Sequence, residues 1–220
     1  MPYNDPHTAA PSLWAWADAE HYRYEVSAAP VGLAERERKA CECFLLWSYR
    51  LERRESTICN HGRFHPRYAK SRRRRSGFRG HRLQERDPDN PAGGASMPPL
   101  ASEESEPGSL HWMGLTWSNL SVIEMAGSVQ PTIQGLYRLV DLDQEEVIYI
   151  GQSSRLRERL LSHQKRDWGC PKVGFSLAAL EGLLPHNRLE LENDLIGGFY
   201  YTRASAPTRQ FRHTDIRGSS

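Results

Sequence analysis

The sequence predicts an α/β protein: a small, mainly antiparallel three-stranded sheet flanked by helices, preceded by a partial helical and strand region in the N-terminal half. Three observations carry this prediction. Two strand-like runs, GLYRLV at 135–140 and VIYI at 147–150, stand either side of the acidic turn segment DLDQEE. An arginine-rich amphipathic run follows them at once. A third strand-like run, KVGFSLAAL at 172–180, leads into a second amphipathic run from Arg188.

Each element has a local reason. Gly135 to Val140 alternates and is rich in strand formers, and Val147 to Ile150 is a short buried-strand pattern. With the segment 141–146 between them they form a hairpin with a longer loop. Ser153 or Ser154 can cap the following helix, which runs to about Gln164. Its Leu156 and Leu160 are one turn apart and face the core. Arg155, Arg159 and His163 repeat every four residues as a neighbouring stripe that points one way. The run 172–180 reads as a strand whose last residues also suit a helix. In the final helix Leu191, Leu195 and Phe199 make the core stripe. Glu192 and Ile196 lie beside it, so Glu192 stands at the edge of the core, where a carboxylate needs a partner.

At 220 residues the chain allows one or two domains, and 38% hydrophobic and 25% charged residues with a net charge of +2 are ordinary for a soluble protein. No run approaches the ~18 apolar residues of a membrane span. The start, MPYNDPHTAAPSLW, lacks the basic and apolar regions of a secretion signal, so the four cysteines are expected as reduced thiols in a cytoplasmic protein. The middle is polarised. His61 to Gln84 holds nine Lys or Arg and no acid, with Phe64, Tyr68 and Phe78 interleaved. Asp87 to Gly108 holds five acids and no base and is rich in Pro, Gly and Ser. It reads as a disordered linker between a first region, 1–86, and a second, 109–214.

The second region resembles the GIY-YIG nuclease domain. The opening pair stands here as Gly135-Leu136-Tyr137 and Tyr149-Ile150-Gly151. Arg159 comes ten residues after the second tyrosine, and Glu192 opens the later helix in ELENDLI. The resemblance covers roughly Leu110 to Phe211. Where the family carries an asparagine after the glutamate helix, PTRQF offers Gln210, one methylene longer. Taken singly, the tyrosines read as sheet-packing residues, Arg155, Arg157 and Arg159 as a solvated helix face, and Glu192 as a surface acid. Their joint occurrence favours a site.

The resemblance implies hydrolysis of a DNA phosphodiester at one divalent metal, Mg²⁺ or Mn²⁺. Glu192 would hold the ion, which needs few protein carboxylates. Arg159 would bind a phosphoryl oxygen. Tyr149 would act as base toward water, with Tyr137 hydrogen-bonded nearby and His163 as a proton relay. A phenol titrating at about 10 is a poor base at neutral pH, so the arginine and the metal would have to lower it. Gln210 is an accessory candidate. The basic run, through Arg72, Arg73, Arg74, Arg75 and Arg79, and Arg155 on the helix stripe, are the expected DNA contacts. They would supply sequence-blind, salt-dependent attraction, with the aromatics available for stacking on bases.

A shift of 150 lays Arg38–Phe64 on Arg188–Thr214. Glu42 then meets Glu192, Leu45 meets Leu195, Leu46 meets Ile196, Tyr49 meets Phe199 and Asn60 meets Gln210. Upstream, YRYEVSAAP reads as a strand leading into such a helix. The first region would then be the rear part of a second, truncated copy, with Asn60 a further accessory candidate. Such a copy leaves a sheet edge unpaired, which leads to an expectation of poor order or of a homodimer. Cys41, Cys43, Cys59, His61 and His65 form a rival zinc set, but Cys41 and Cys43 point about 200° apart on a helix and the spacing fits no usual finger. Three functions are carried forward: a metal-dependent DNA endonuclease, a non-catalytic DNA-binding module with a degenerate nuclease fold, and a zinc-stabilised adaptor.

Overall fold

The computed structural model describes residues 9–71, 79–101 and 106–211. Its fold is mixed α/β. The main sheet has four antiparallel strands in the order β3-β6-β4-β5: β3 (Ser121–Val122), β4 (Gly135–Asp141), β5 (Glu146–Ser153) and β6 (Val173–Ala179). Three of these are the expected strands. The fourth, β3, is two residues long and lies in a stretch without strand periodicity, so the three-stranded expectation missed it. The helices are α1 (Ala10–Glu20), α2 (Glu35–Arg53), α3 (Leu156–Gln164) and α4 (Pro185–Arg203). Helix α4 starts three residues before the expected Arg188, because Pro185 suits the first turn, where its missing N–H costs nothing. No described helix is long and apolar enough to cross a membrane.

One irregularity sets the faces of the hairpin. Leu139 pairs with Tyr149, but Val140 pairs with Val147, which leaves Ile148 as an extra residue in β5. In a regular strand Val147 and Tyr149 would share a face. The bulge turns Tyr149 to the opposite face, beside Tyr137 and Leu139. One face of the sheet, with Leu136, Val140, Val147 and Ile150, packs on α4. The other, with Tyr137, Leu139, Ile148 and Phe175, packs on α3 and on a short 3₁₀ helix at Ile123–Ser128.

Helix α2 covers the far side of α4, so the two expected regions share one core. The two helices are equal in length, 19 residues, and their starts and ends are offset by 150. Both end in a left-handed residue, Arg54 and Ala204, and both tails turn again in that conformation at His61 and Phe211. Equivalent positions meet where the helices cross. Asn193 Nδ2 donates to Cys43 O at 3.1 Å. A Cβ on Gly197 would lie 2.9 Å from both Trp47 Cβ and Cys43 O, so only glycine lets the helices approach this closely. The likeness stops at the sheet. Leu195 and Phe199 are buried beneath it, whereas Leu45 and Tyr49 are 60% and 36% exposed because no sheet covers α2. The expected strand at 22–30 is irregular and exposed instead.

The expected linker is ordered over its described part. Residues 94–100 run along the α2–α4 groove. Met97 N donates to Glu190 Oε2 at 2.9 Å, Leu100 N to Asp194 Oδ2 at 3.0 Å, and Trp47 Nε1 to Leu100 O at 2.9 Å. Low complexity concealed this because the strap is held through its backbone, and a backbone hydrogen bond leaves no side-chain pattern. In the same groove Arg50, fully buried, makes a two-pronged contact with Asp194 at 2.8 and 3.1 Å. Arg63 reaches Glu190 at 2.8 Å.

The rest of the first region is a small satellite. Strands β1 (Tyr68–Ala69) and β2 (His81–Arg82) form a short hairpin whose Tyr68, with Phe64, packs on α1. Phe64 and Tyr68 are buried, which corrects their expected role as stacking platforms. Arg79 lies over the Trp14 ring. Arg72, Arg73, Arg74, Arg75 and Phe78 lie outside the described residues.

Replacing Arg50 alone by methionine leaves Asp194 buried without its cation, while Glu190 keeps Arg63, and should lower stability by about 3–5 kcal/mol. Adding Asp194→Leu should recover much of that loss. Urea-unfolding midpoints of the native chain, the single and the double variant check this; equal midpoints for native and Arg50→Met would show that the contact is idle.

Candidate active site

Tyr137 is the hub of the site. Its ring lies directly over Gly151, where an added Cβ would fall 2.4 Å from the phenol. That close approach is the physical reason for glycine after Tyr149-Ile150. Gly135, with φ +148° and no room for a Cβ against Ala178 O, begins the strand for a similar reason. Tyr137 is fully buried, and burial pushes its hydroxyl well above the ordinary phenol range. It therefore works as a neutral hydrogen-bonding post.

Helix α3 is anchored by Leu156 and Leu160, both fully buried, which turns Arg159 toward that post. Arg159 Nε donates to Tyr137 Oη at 3.0 Å. The Tyr137 hydroxyl and His163 Nε2 share a hydrogen bond at 2.7 Å, while the buried His163 Nδ1 has no partner among the described residues. Arg159 also interacts with the Tyr149 hydroxyl. The Tyr137 and Tyr149 rings stack 6.0 Å apart. On the opposite wall α4 presents Glu192, held near the Gln152 backbone N–H of β5. Its surface stays open to the cleft, while the protein packed behind it pushes the carboxyl up to about 7 by burial, against the opposing pull of Arg159 and that N–H.

Tyr149, Arg159 and Glu192 thus line one cleft of about 520 Å³. Gln210 reaches the same wall, and the remaining expected residues stand elsewhere. His163 is fully buried behind Tyr137, and its pKa is lowered to about 3 by burial and then by Arg159 and Arg166. A neutral imidazole in the core positions Tyr137 and does not itself line the cleft, which it meets only through the Tyr137 hydroxyl. Arg155 is exposed and paired with Glu158. Glu42 is exposed on α2, and Asn60 is not on the cleft wall, although its neighbour His61 is.

Gln210 reaches the cleft wall, but its amide is committed. Its Oε1 accepts from Ile150 N at 2.9 Å and its Nε2 donates to Ile150 O at 3.1 Å. The longer side chain pairs with the free edge of β5 as a neighbouring strand would. The cysteine–histidine set does not converge. Cys43 and His61 line the cleft, while His65 faces Glu20 at 3.2 Å.

Four wall residues were not expected at this site: Cys43 and His61 from the first region, marked only as members of the zinc set, and Arg166 and Arg209 from the second, which no sequence signal marked. They come from a helix, a tail and two turns, and no local spacing links them. No family model, curated protein or solved structure matches this chain.

The buried His163 gives a pH signature. Its folded pKa, about 3, lies below the ordinary 6.5, so it supports the fold above about pH 6.5. That support is lost as pH falls and the unfolded chain takes up a proton that the fold refuses. Glu192 and Asp194, raised by burial to about 7 and about 6, act in the opposite sense over this range. The native chain must therefore be compared with His163→Gln at each pH. The gap between their urea midpoints should be widest near pH 7.5 and narrow toward pH 4.5, by up to about 1.4 kcal/mol per unit. A constant gap would contradict the assignment.

Proposed function

We propose that the protein is a GIY-YIG-type endonuclease that hydrolyses DNA phosphodiester bonds with a divalent metal. The observation that carries this reading is the meeting of Tyr149, Arg159 and Glu192 in one cleft, with Tyr137 tying the first two together from below. A guanidinium, a phenol and a lone carboxylate facing one space suit a phosphodiester better than an ester or a peptide, which present no anionic oxygens to an arginine.

The donor set fits Mg²⁺ or Mn²⁺. Glu192 is a single carboxylate open to the cleft, and a small hard cation takes one or two carboxylates together with waters and substrate phosphate. When bound, such an ion would polarise the phosphate and offset charge on the leaving oxygen. Arg159 would grip a non-bridging phosphoryl oxygen and favour the more charged transition state. Its orientation is set before substrate arrives, because Tyr137 already holds Nε. Tyr149 would orient the attacking water through its hydroxyl and take part in moving the proton. The water oxygen bonds to phosphorus, the ester P–O bond breaks, and the water proton is passed on so that the leaving oxygen ends as an alcohol. The basic run, bracketed by β1 and β2, would add nonspecific affinity for the duplex.

Gln210 supports a second reading, a DNA-binding module that does not cut. Its amide is spent on Ile150, so the cleft has no free amide where the family carries asparagine.

Supercoiled plasmid with and without Mg²⁺ decides between the two. Glu192→Gln should lower nicking by at least about a hundredfold with binding retained, whereas the exposed Glu42→Gln should stay within a few-fold of native. Metal-independent binding with no nicking by the native chain would select the second reading. Changing Arg72 to Arg75 to glutamine should weaken binding of unrelated sequences alike and flatten its dependence on salt; an unchanged slope would remove the run from the DNA contact.

A further inference from the structure

We propose that Arg166 and Arg209 form a second phosphate subsite in the cleft, which takes the phosphodiester next to the one gripped by Arg159. The inference rests on reading the cleft as a phosphodiester site, and it makes the substrate a polynucleotide strand rather than an isolated diester.

Both guanidinia line the cleft with Tyr149, Arg159 and Glu192. They converge on the turn after α3. The Arg166 guanidinium lies 4.9 Å over the Trp168 ring, and its backbone N–H is fixed to His163 O at 3.1 Å. Arg209 comes from the tail after α4. Its backbone N–H donates to Ile148 O at 2.8 Å, at the bulge of β5, and its Nη2 donates to Gly169 O at 3.2 Å. Each arginine is therefore anchored on one side and keeps donors toward the cleft, since a guanidinium carries five N–H groups. No ion pair joins either one to a carboxylate among the described residues.

The charge balance of the wall points the same way. Three arginines and one carboxylate line it, so one phosphodiester held by Arg159 and a divalent cation held by Glu192 leave three positive charges without a counter-charge, two of them those of Arg166 and Arg209. A strand of nucleic acid supplies such charges at regular spacing. The two anchors also account for Gly169. Its φ is +67°, and a Cβ there would fall 2.5 Å from Arg209 Nη2, so a side chain at this position would push that guanidinium aside.

Two substrates separate the subsite from the reaction centre: bis(p-nitrophenyl) phosphate, which has one diester and no neighbour, and a short single-stranded oligonucleotide. With Mg²⁺ present, Arg166→Gln and Arg209→Gln should each raise KM for the oligonucleotide by about tenfold more than for the small diester, as expected for loss of a charge-assisted contact. Arg159→Gln should instead lower kcat on both. Gly169→Ala, which keeps every charge but displaces Arg209, should repeat the Arg209→Gln pattern in weaker form. A purely structural role for the two arginines predicts equal losses on both substrates, and that result, or no loss on either, would overturn the subsite. If the native protein cuts neither substrate, the nuclease reading fails by itself. Anisotropy of the fluorescently labelled oligonucleotide then decides the subsite: Kd raised about tenfold in either arginine variant, with a shallower salt slope, supports it, and unchanged Kd overturns it.

Discussion

Arg50 enters the interior where no water can solvate it, and α4 is built to answer that charge. Asp194 meets it with both oxygens, Glu190 lies 3.6 Å away, and Arg63 closes the group from the other side. A buried ion group of this kind adds little stability over a well-packed apolar cluster, but losing one member is severe. Its effect here is on geometry. It sets the rotation of α4 against α2 and recruits the 94–100 strap through backbone N–H groups. The face of α4 that carries Glu192 follows from the same rotation, since Glu192 lies between Glu190 and Asp194 along the helix. The candidate site thus depends on a contact that contains none of its own residues.

The second dependence is on the bulge at Ile148. Without it Tyr149 would point at α4 and Val147 would share its face, and the phenol would be lost to the core. The same irregular stretch of β5 is where the tail docks, through Arg209 N on Ile148 O and the Gln210 amide on Ile150. An edge strand has free N–H and C=O groups that invite unwanted pairing. Covering them with the tail closes the edge and brings Arg209 to the cleft in one step. The Gln210 side chain is long enough to make both backbone contacts to Ile150.

Helices α2 and α4 agree in length and offset, in their left-handed caps, and in the way equivalent positions touch at the crossing. They differ in what covers them. The outward stripe of α4 lies under the sheet, while that of α2 faces solvent through Leu45 and Tyr49. One consequence is functional asymmetry: of the two glutamates related by the offset, Glu192 has tyrosines and an arginine across from it, and Glu42 has solvent. The tail of α2 still reaches the cleft with His61, so the first region contributes to the wall.

Local chemistry determined what periodicity and residue type can encode. The hairpin, α3, the later strand and α4 were legible because their apolar residues repeat at two or at 3.6, whereas the reason for glycine at 135 and 151 needs the atoms that crowd each Cα. Tyr149, Arg159 and Glu192 were brought together by a resemblance rather than by periodicity, and they line one cleft. Tertiary structure decided the rest, because it depends on partners distant in the chain. A low-complexity segment became a strap through backbone bonds that no composition reveals. Arg50 and Asp194 stand 144 positions apart, so no local pattern links them. His163 shares the four-residue stripe of Arg159, but helix position does not say whether a side chain ends in the cleft or behind it. Trp168 and Tyr149 pack around its ring and settle that question. Arg166 and Arg209 become neighbours only when the tail of α4 docks on the edge of β5, a long-range contact with no local signature.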